Sequence, residues 1–422
     1  MQNLTQIAEY ALEALCLQGV ADAEVVVSRT EKDELSAEAG EFSLMRTTRS
    51  GVVSMKALLD GRKGASNMNS LDKESIDVCA KECALSAQGA QPDPAEEIPP
   101  LTENGSFSCG VLSCERDRLF ARTEEFLEQV KKEFPTICLE QVTAEYARSK
   151  CVYLNTKGVC FEEEGGDYEF SAMFSAKEGE NISSFNYFGV TLDNLDTPFL
   201  NLANHRLQLE QSVNSVHTVP FGEKIEGQII LMPECFGELV SDALGAFCGN
   251  SAIIEGTSPW KDKLGQEVAA PFLTVAARPF DERIICGERV CEGERSRDAD
   301  IIKNGVLQSF LLTRYASNKT GHPRFPNGAG HTVIEAATDE YDGKKVVLPL
   351  AQMIKSVKRG LLVGRFSGGQ PTSNGDFSGV AKNSFLIENG KIAAAVSETM
   401  ISGNLQALLR DIRAISAETY LD

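Results

Sequence analysis

The sequence predicts an α+β fold in two domains, with antiparallel, hairpin-rich sheets and packed helices. Helical stretches and strand-like runs follow one another without the regular βαβ alternation that a parallel sheet requires. Several strand-like runs are joined directly by the short turns Asp60-Gly61, Asn304-Gly305 and Asn389-Gly390. Such residues take positive φ at little cost and return the chain beside the strand it has just left. At 422 residues the chain exceeds the length at which single cores stop growing. Two domains are therefore expected, residues 1–190 and residues 191–422, the second rich in strands.

In the first domain, residues 4–17 place Ile7, Ala8, Ala11, Leu12 and Leu15 on one side of a helix. Residues 23–29 read as a strand, from the β-branched run Val25-Val26-Val27. Two more strands are expected at 42–47 and 52–59. Residues 70–88 read as a helix capped by Ser70, with Ile76, Val78, Cys79, Cys83 and Leu85 as apolar positions. The proline-rich run 91–100 cannot continue that helix. Residues 116–133 give another, with Leu119, Phe120, Phe126, Leu127 and Val130 as its apolar side. Short strands follow at 136–149, 151–155 and from Cys160 onward, then at 168–176 and 183–190.

The second domain opens with a helix at 202–215 and a buried strand at 227–232. Pro233 starts a helix that runs to about Gly249, since proline is well tolerated in a first helical turn. Residues 300–313 form a hairpin around Asn304-Gly305, and residues 350–359 a short helix. Strands at 384–387 and 392–396 flank Glu388-Asn389-Gly390, and a last helix covers 405–412.

Composition is that of an ordinary globular chain, with 42% hydrophobic and 24% charged residues. No apolar run approaches the roughly 20 residues that span a bilayer. The first residues carry no basic segment before their apolar positions, so a cytoplasmic location is the default expectation. A net charge of −20 disfavours nucleic acid as a partner; Lys355, Lys358 and Arg359 form the one compact basic group. The twelve cysteines include no Cys-x-x-Cys pair, and reduced thiols acting as small buried hydrophobes are expected. Neither a Gly-x-Ser-x-Gly elbow nor a phosphate-binding G-x-x-x-x-G-K-[ST] loop occurs, which weighs against a serine hydrolase and against P-loop nucleotide chemistry.

Residues 367–405 carry most of the information. Gly368-Gly369, Gly375-Asp376-Phe377-Ser378, the run Ile387-Glu388-Asn389-Gly390-Lys391-Ile392, Val396, Ile401 and Gly403-Asn404-Leu405 stand at fixed offsets. This pattern resembles the C-terminal signature of the TldD/PmbA family. Arg49-Ser50-Gly51-Val52, Asp60-Gly61-Arg62-Lys63-Gly64, Gly256-Thr257-Ser258 and Leu264-Gly265-Gln266 are similar to further landmarks of that family, so the resemblance spans nearly the whole chain.

The resemblance implies a TldD/PmbA-like fold and a sharp expectation about chemistry. Zinc-carrying, TldD-type members place a His-Glu-x-x-x-His motif on the helix that corresponds to residues 233–249. The imidazoles hold the metal and the glutamate activates its water. In register, Ser241 and Ala246 stand where those histidines would be, and Asp242 where the glutamate would be. The family's third ligand is a cysteine near the C-terminus, and no cysteine follows Cys291 here. His205, His217, His322 and His331 show no metal-ligand spacing. The expectation is therefore no cofactor in this chain, with zinc carried by a TldD-like partner. The implied role is that of a PmbA/TldE-type subunit of a peptide-processing metalloprotease, with no catalytic residue of its own.

Two alternatives stay open at this stage: a peptidase acting as a homodimer, and a non-enzymatic protein that modulates DNA gyrase or a toxin target. Glu234, Glu238 and Asp242 recur every four residues and form one acidic stripe. With Gly368, Gly369, Gly375 and Asp376 they are the candidate contacts for a peptide or a partner.

Overall fold

In a computed structural model the structure describes residues 3–222, 224, 226–328 and 330–419. It begins with helix α1 (Leu4–Leu17), then strands β1 (Asp22–Glu38), β2 (Glu41–Leu59) and β3 (Arg62–Met68), helix α2 (Lys73–Gly89) and strand β4 (Gly105–Gly110). Helix α3 (Arg116–Glu133) precedes β5 (Ile137–Asn155), β6 (Cys160–Glu178), β7 (Asn181–Ile182) and β8 (Asn186–Leu192). All these strands join one sheet, in the order β3-β2-β1-β5-β6-β4, with β7 and β8 also paired to β6.

The strands are longer than expected. The two short strands foreseen at 42–47 and 52–59 are one, β2, and those foreseen at 136–149 and 151–155 are one, β5. Both stay continuous because each pairs with β1 along nearly its full length. The capping residue of α2 also differs. Asp72, not Ser70, caps it by accepting from the Ser75 N–H at 2.9 Å, while the Ser70 hydroxyl donates to the Asp72 carboxylate. Val78 and Leu85, read as apolar positions of α2, are exposed; Ile76, Cys79, Ala80, Cys83 and Ala84 face inward.

Two cores line this sheet. Val25 and Val27 of β1 pack with α1 and α2, whereas Leu35 and Ala37 of the same strand pack with Leu119, Phe126 and Val130 of α3. Helix α4 (His205–Asn214) contributes Leu209 and Val213 to the second of these cores. Packing on the first sheet thus runs past residue 190, where sequence alone suggested the second domain begins.

The rest of the chain surrounds helix α5 (Pro233–Cys248), which follows strand β9 (Gln228–Leu231). Strand β9, foreseen as buried, is only partly so, and Ile229 is exposed. One four-stranded sheet is built from Val306–Leu307, Ala299–Lys303, Leu273–Ala277 and Thr332–Ala336. A second combines Lys391–Val396, Ser384–Glu388, Arg359–Val363 and β9. A three-stranded sheet combines Arg365–Gly368, Asp376–Lys382 and Thr399–Asn404. Pairing is mainly antiparallel, as expected for an α+β fold. Among the described residues three pairs depart from this: β4 runs parallel to β6, β9 parallel to Arg359–Val363, and Val347–Leu348 parallel to Ile415–Ser416. The Asn389-Gly390 hairpin forms as expected, with φ of 50° and 78°.

Polar and cationic contacts tie the two halves together. Tyr315 Oη donates to Asp93 at 2.9 Å, Asn318 Nδ2 to the Ala95 carbonyl at 3.0 Å, and Asn383 Nδ2 to the Phe185 carbonyl at 3.2 Å. Among the described residues no helix is long and apolar enough to cross a membrane.

Candidate functional site: helix α5 and the glycine-rich turns

Helix α5 forms because its apolar residues recur at helical spacing and Pro233 occupies its first turn. Cys235, Leu239, Val240, Ala243, Leu244, Phe247 and Cys248 are buried in the largest core of the second half. The opposite side carries Gly237, Glu238, Ser241, Asp242 and Gly245. A side-chain carbon built at Gly237 or Gly245 would find open space.

The acidic stripe divides in two. Glu234 turns toward α4, where its Oε1 accepts from Asn204 Nδ2 at 2.6 Å and from Gln208 Nε2 at 2.8 Å. Asn204 and Gln208 are buried, so this carboxylate serves to fasten α5 to α4. Replacing Glu234 by alanine should cost about 2 kcal/mol, because buried amide donors would lose their acceptor. Glu238→Ala, at an exposed position, should stay within about 0.5 kcal/mol. Urea unfolding of the two variants beside the parent checks both values.

Glu238 and Asp242 remain on the open side. Partial burial and the Asp242 charge raise the Glu238 carboxyl above its ordinary value, and the Arg365 charge works against that rise. Asp242 is raised by burial. Sequence reasoning missed Arg365. It begins the strand Arg365–Gly368, and its guanidinium lies 4.3 Å from the Phe185 ring centre and 5.4 Å from that of Tyr187. No sequence signal marks it, because the rings and the cation meet only through the fold.

The glycine-rich turns are closely packed against their own chain. Gly368 lies opposite Gly379 on the next strand. A Cβ at Gly368 would meet the Phe366 ring at 2.5 Å, and one at Gly379 would meet it at 2.4 Å. Gly375 is pressed against Phe247 of α5, while Gly369 has open space around it. The Asp376 carboxylate accepts from Asn404 Nδ2 at 2.8 Å and from Asn374 Nδ2 at 3.0 Å. Asn404 in turn caps the helix Leu405–Arg410 by accepting from the Gln406 and Ala407 N–H groups. Of the proposed contact residues, then, Gly368, Gly375, Asp376 and Glu234 have clear partners inside the chain. Gly369, Glu238 and Asp242 face outward.

The donor set on α5 does not suit zinc. Serine and alanine at positions 241 and 246 offer neither imidazole nor thiolate. The nearest sulfurs on the helix, Cys235 and Cys248, are buried, and burial raises both thiols. Among the described residues no three His, Cys, Asp or Glu side chains stand together in a way that could hold a metal ion. Two of the four histidines are engaged elsewhere: His205 is buried against Phe188, and His217 Nε2 lies 2.9 Å from Glu178. An open cavity of about 740 Å³ lies in the first half, lined by residues that include Glu31, Asp33, Arg116 and Arg148. It contains none of the candidate residues, and Arg116 and Arg148 are already paired with Asp33 and Glu164.

Residues 225–421 match the PmbA/TldA metallopeptidase C-terminal domain, and residues 23–87 match PmbA/TldA metallopeptidase domain 1. The chain belongs to the PmbA/TldD family. The metalloprotease PmbA of Escherichia coli O157:H7 is 26% identical over 414 residues, covering 92% of this chain and 86% of that protein. The crystal structure of TldE from Thermococcus kodakarensis superposes with a TM-score of 0.83 at 20% identity, over 98% of this chain and 95% of that one. A Bacteroides thetaiotaomicron structure described as a candidate modulator of DNA gyrase gives a TM-score of 0.80 at 20% identity, over 99% and 94% of the two chains. At such identity the two solved structures establish the shared fold. The named metalloproteases among the relatives place the PmbA/TldD chain in a family with a peptidase role.

Proposed function

We propose that this chain is the PmbA/TldE-type subunit of a peptide-processing metalloprotease and depends on a zinc-carrying, TldD-like chain for hydrolysis. One observation carries the reading. Helix α5 keeps a fully packed inner side, while Ser241 and Asp242 on its outer side, and Ala246 half-buried against that core, stand where the resemblance calls for two histidines and a glutamate. A maintained scaffold without metal-ligand chemistry is what a shape-giving half of a shared chamber requires. The paired carboxylates Glu238 and Asp242 and the open turn at Gly369 would then face the peptide or the partner. The outer edge of β2 supports assembly as well. Strand β3 pairs only with the stretch from Val53 to Leu59, so residues 41–52 lie at the sheet edge, with Leu44 and Met45 exposed. Such an edge can accept an added strand.

Peptide hydrolysis is measured with this chain alone, with a TldD-like partner alone and with the two mixed, and the zinc content of each preparation is determined. The expected result is no stoichiometric zinc and no hydrolysis from this chain alone, with activity in the mixture. A partner that is fully active alone, with neither rate nor elution volume changed by mixing, would show the reading to be wrong. One equivalent of zinc in this chain, lost on changing Asp242, would favour a self-sufficient homodimer instead.

A further inference from the structure

Two cysteines from opposite halves of the chain meet where the segment after Leu273–Ala277 crosses the first sheet. Cys109 lies on β4, and Cys286 lies between Pro279 and Arg289. The Cys286 thiol lies 3.6 Å from the Gly166 carbonyl oxygen, and it and the Cys109 sulfur border the same point beside Gly165. A Cβ added at Gly165 would stand 3.0 Å from the Cys109 sulfur and 3.3 Å from the Cys286 sulfur. One added at Gly110 would stand 2.6 Å from the Cys286 sulfur. The absence of side chains at these two glycines leaves the sulfurs facing each other. Cys286 itself takes a φ of +48°, an uncommon conformation for a residue other than glycine. Its neighbourhood is anchored: the Arg289 N–H donates to Glu163 Oε1 at 3.2 Å, and Arg289 Nη1 donates to the Pro279 carbonyl at 2.7 Å. Both cysteines are partly exposed, and both are free thiols.

We propose that Cys109 and Cys286 are a peroxide-sensitive pair, which a hydroperoxide converts to a disulfide that staples the two halves of the chain together. Burial and the adjacent Cys109 sulfur hold the Cys286 thiol above its ordinary value, which suits Cys286 to the resolving role. The Cys109 thiolate attacks a peroxide oxygen, and the O–O bond breaks. One oxygen stays on Cys109 as the sulfenic acid, and the other departs as hydroxide, which takes up the proton the Cys109 thiol released and becomes water. The Cys286 sulfur then attacks the Cys109 sulfur, and the S–O bond breaks. The departing hydroxide takes the thiol proton as a second water. Two thiols and one peroxide thus give one disulfide and two waters.

The full chain, reduced and freed of reductant, is treated with hydrogen peroxide, blocked with a thiol alkylator and digested without reduction. Mass spectrometry is expected to find a linked peptide pair containing Cys109 and Cys286, lighter by two hydrogens than the sum of its parts and separated again by dithiothreitol. It should form before the exposed thiols Cys16 and Cys138 are consumed. Cys109→Ser and Cys286→Ser should each abolish it. In the linked form the midpoint of thermal unfolding should rise by about 2 °C or more. Oxidation of Cys16 and Cys138 with no 109–286 link in the parent chain would overturn the proposal, whatever the variants do. A link that leaves the unfolding midpoint unchanged would overturn its stapling role.

Discussion

Replacing Gly375 by alanine should destabilise the chain by about 3 kcal/mol. Gly375 is buried and holds a φ of +92°. An L-residue with a side chain pays about 1–2 kcal/mol for such a conformation. Its Cβ would also meet the Phe247 ring at 2.6 Å, and overpacking of this kind costs about 1–3 kcal/mol. Relief is difficult. Phe247 is fully buried on α5 beside Trp260, their ring centres 4.7 Å apart. The turn is pinned by the Leu405 N–H donating to the Gly375 carbonyl at 2.8 Å and by the Gly375 N–H donating to the Thr372 carbonyl at 2.8 Å. Gly369→Ala is the matched comparison. No atom lies within 4 Å of its Cβ position, so its effect should stay within about 0.5 kcal/mol. Urea midpoints of the two variants decide the matter. Equal losses would mean that contact with Phe247 is not what requires glycine at 375.

His205 should make the protein lose stability on acidification. Its ring is fully buried and stacked on Phe188, with centres 3.9 Å apart. In the neutral form Nδ1–H donates to the Phe199 carbonyl at 2.7 Å, and Nε2 has no hydrogen-bond partner among the described residues. Burial lowers the imidazole from 6.5 to about 4, only partly offset by the bond to Phe199. The folded value is the depressed one, so the unfolded chain takes up the proton first as pH falls. Stability from this residue is complete above about pH 6.5, declines by about 1.4 kcal/mol per pH unit below it and levels off near pH 4, a total of about 3 kcal/mol.

His205→Phe keeps a ring against Phe188 and cannot take a proton. Unfolding free energies of parent and variant, compared at about pH 7.5 and about pH 4.5, should diverge by most of that amount, with the parent falling further. Parallel curves would mean that the folded protein protonates His205 as readily as the unfolded chain does.

The helices were legible in the sequence for a plain reason. The apolar residues of 4–17 and 116–133 repeat with the helical period, and the structure places α1 and α3 at those same residues. Strands were legible too, but their lengths were not. The break foreseen between 47 and 52 falls on the polar residues Thr48, Arg49 and Ser50, all exposed. A strand that gains its backbone bonds from β1 needs no alternation of apolar side chains to persist. Val78 and Leu85 mislead for the opposite reason, being apolar residues that nothing covers. Ser70 and Asp72 are both good caps by type, and only the entry angle of the chain selects between them.

For the candidate site the division is similar. The sequence by itself determined the family, the α+β class and the side chains at 241, 242 and 246, because these depend on residue identity at fixed offsets. It could not tell which polar and glycine residues of the signature serve the chain's own packing. That Glu234 fastens α4, that Asp376 and Asn404 hold a turn and a helix end, and that Gly375 makes room for Phe247 was decided by tertiary structure alone. So were the placing of Arg365 against Phe185 and the meeting of Cys109 with Cys286. In each case the interacting groups lie far apart in the chain. Hydrogen bonds, ring contacts and thiol pairs act over a few ångströms, so only the folded backbone determines which groups come within range.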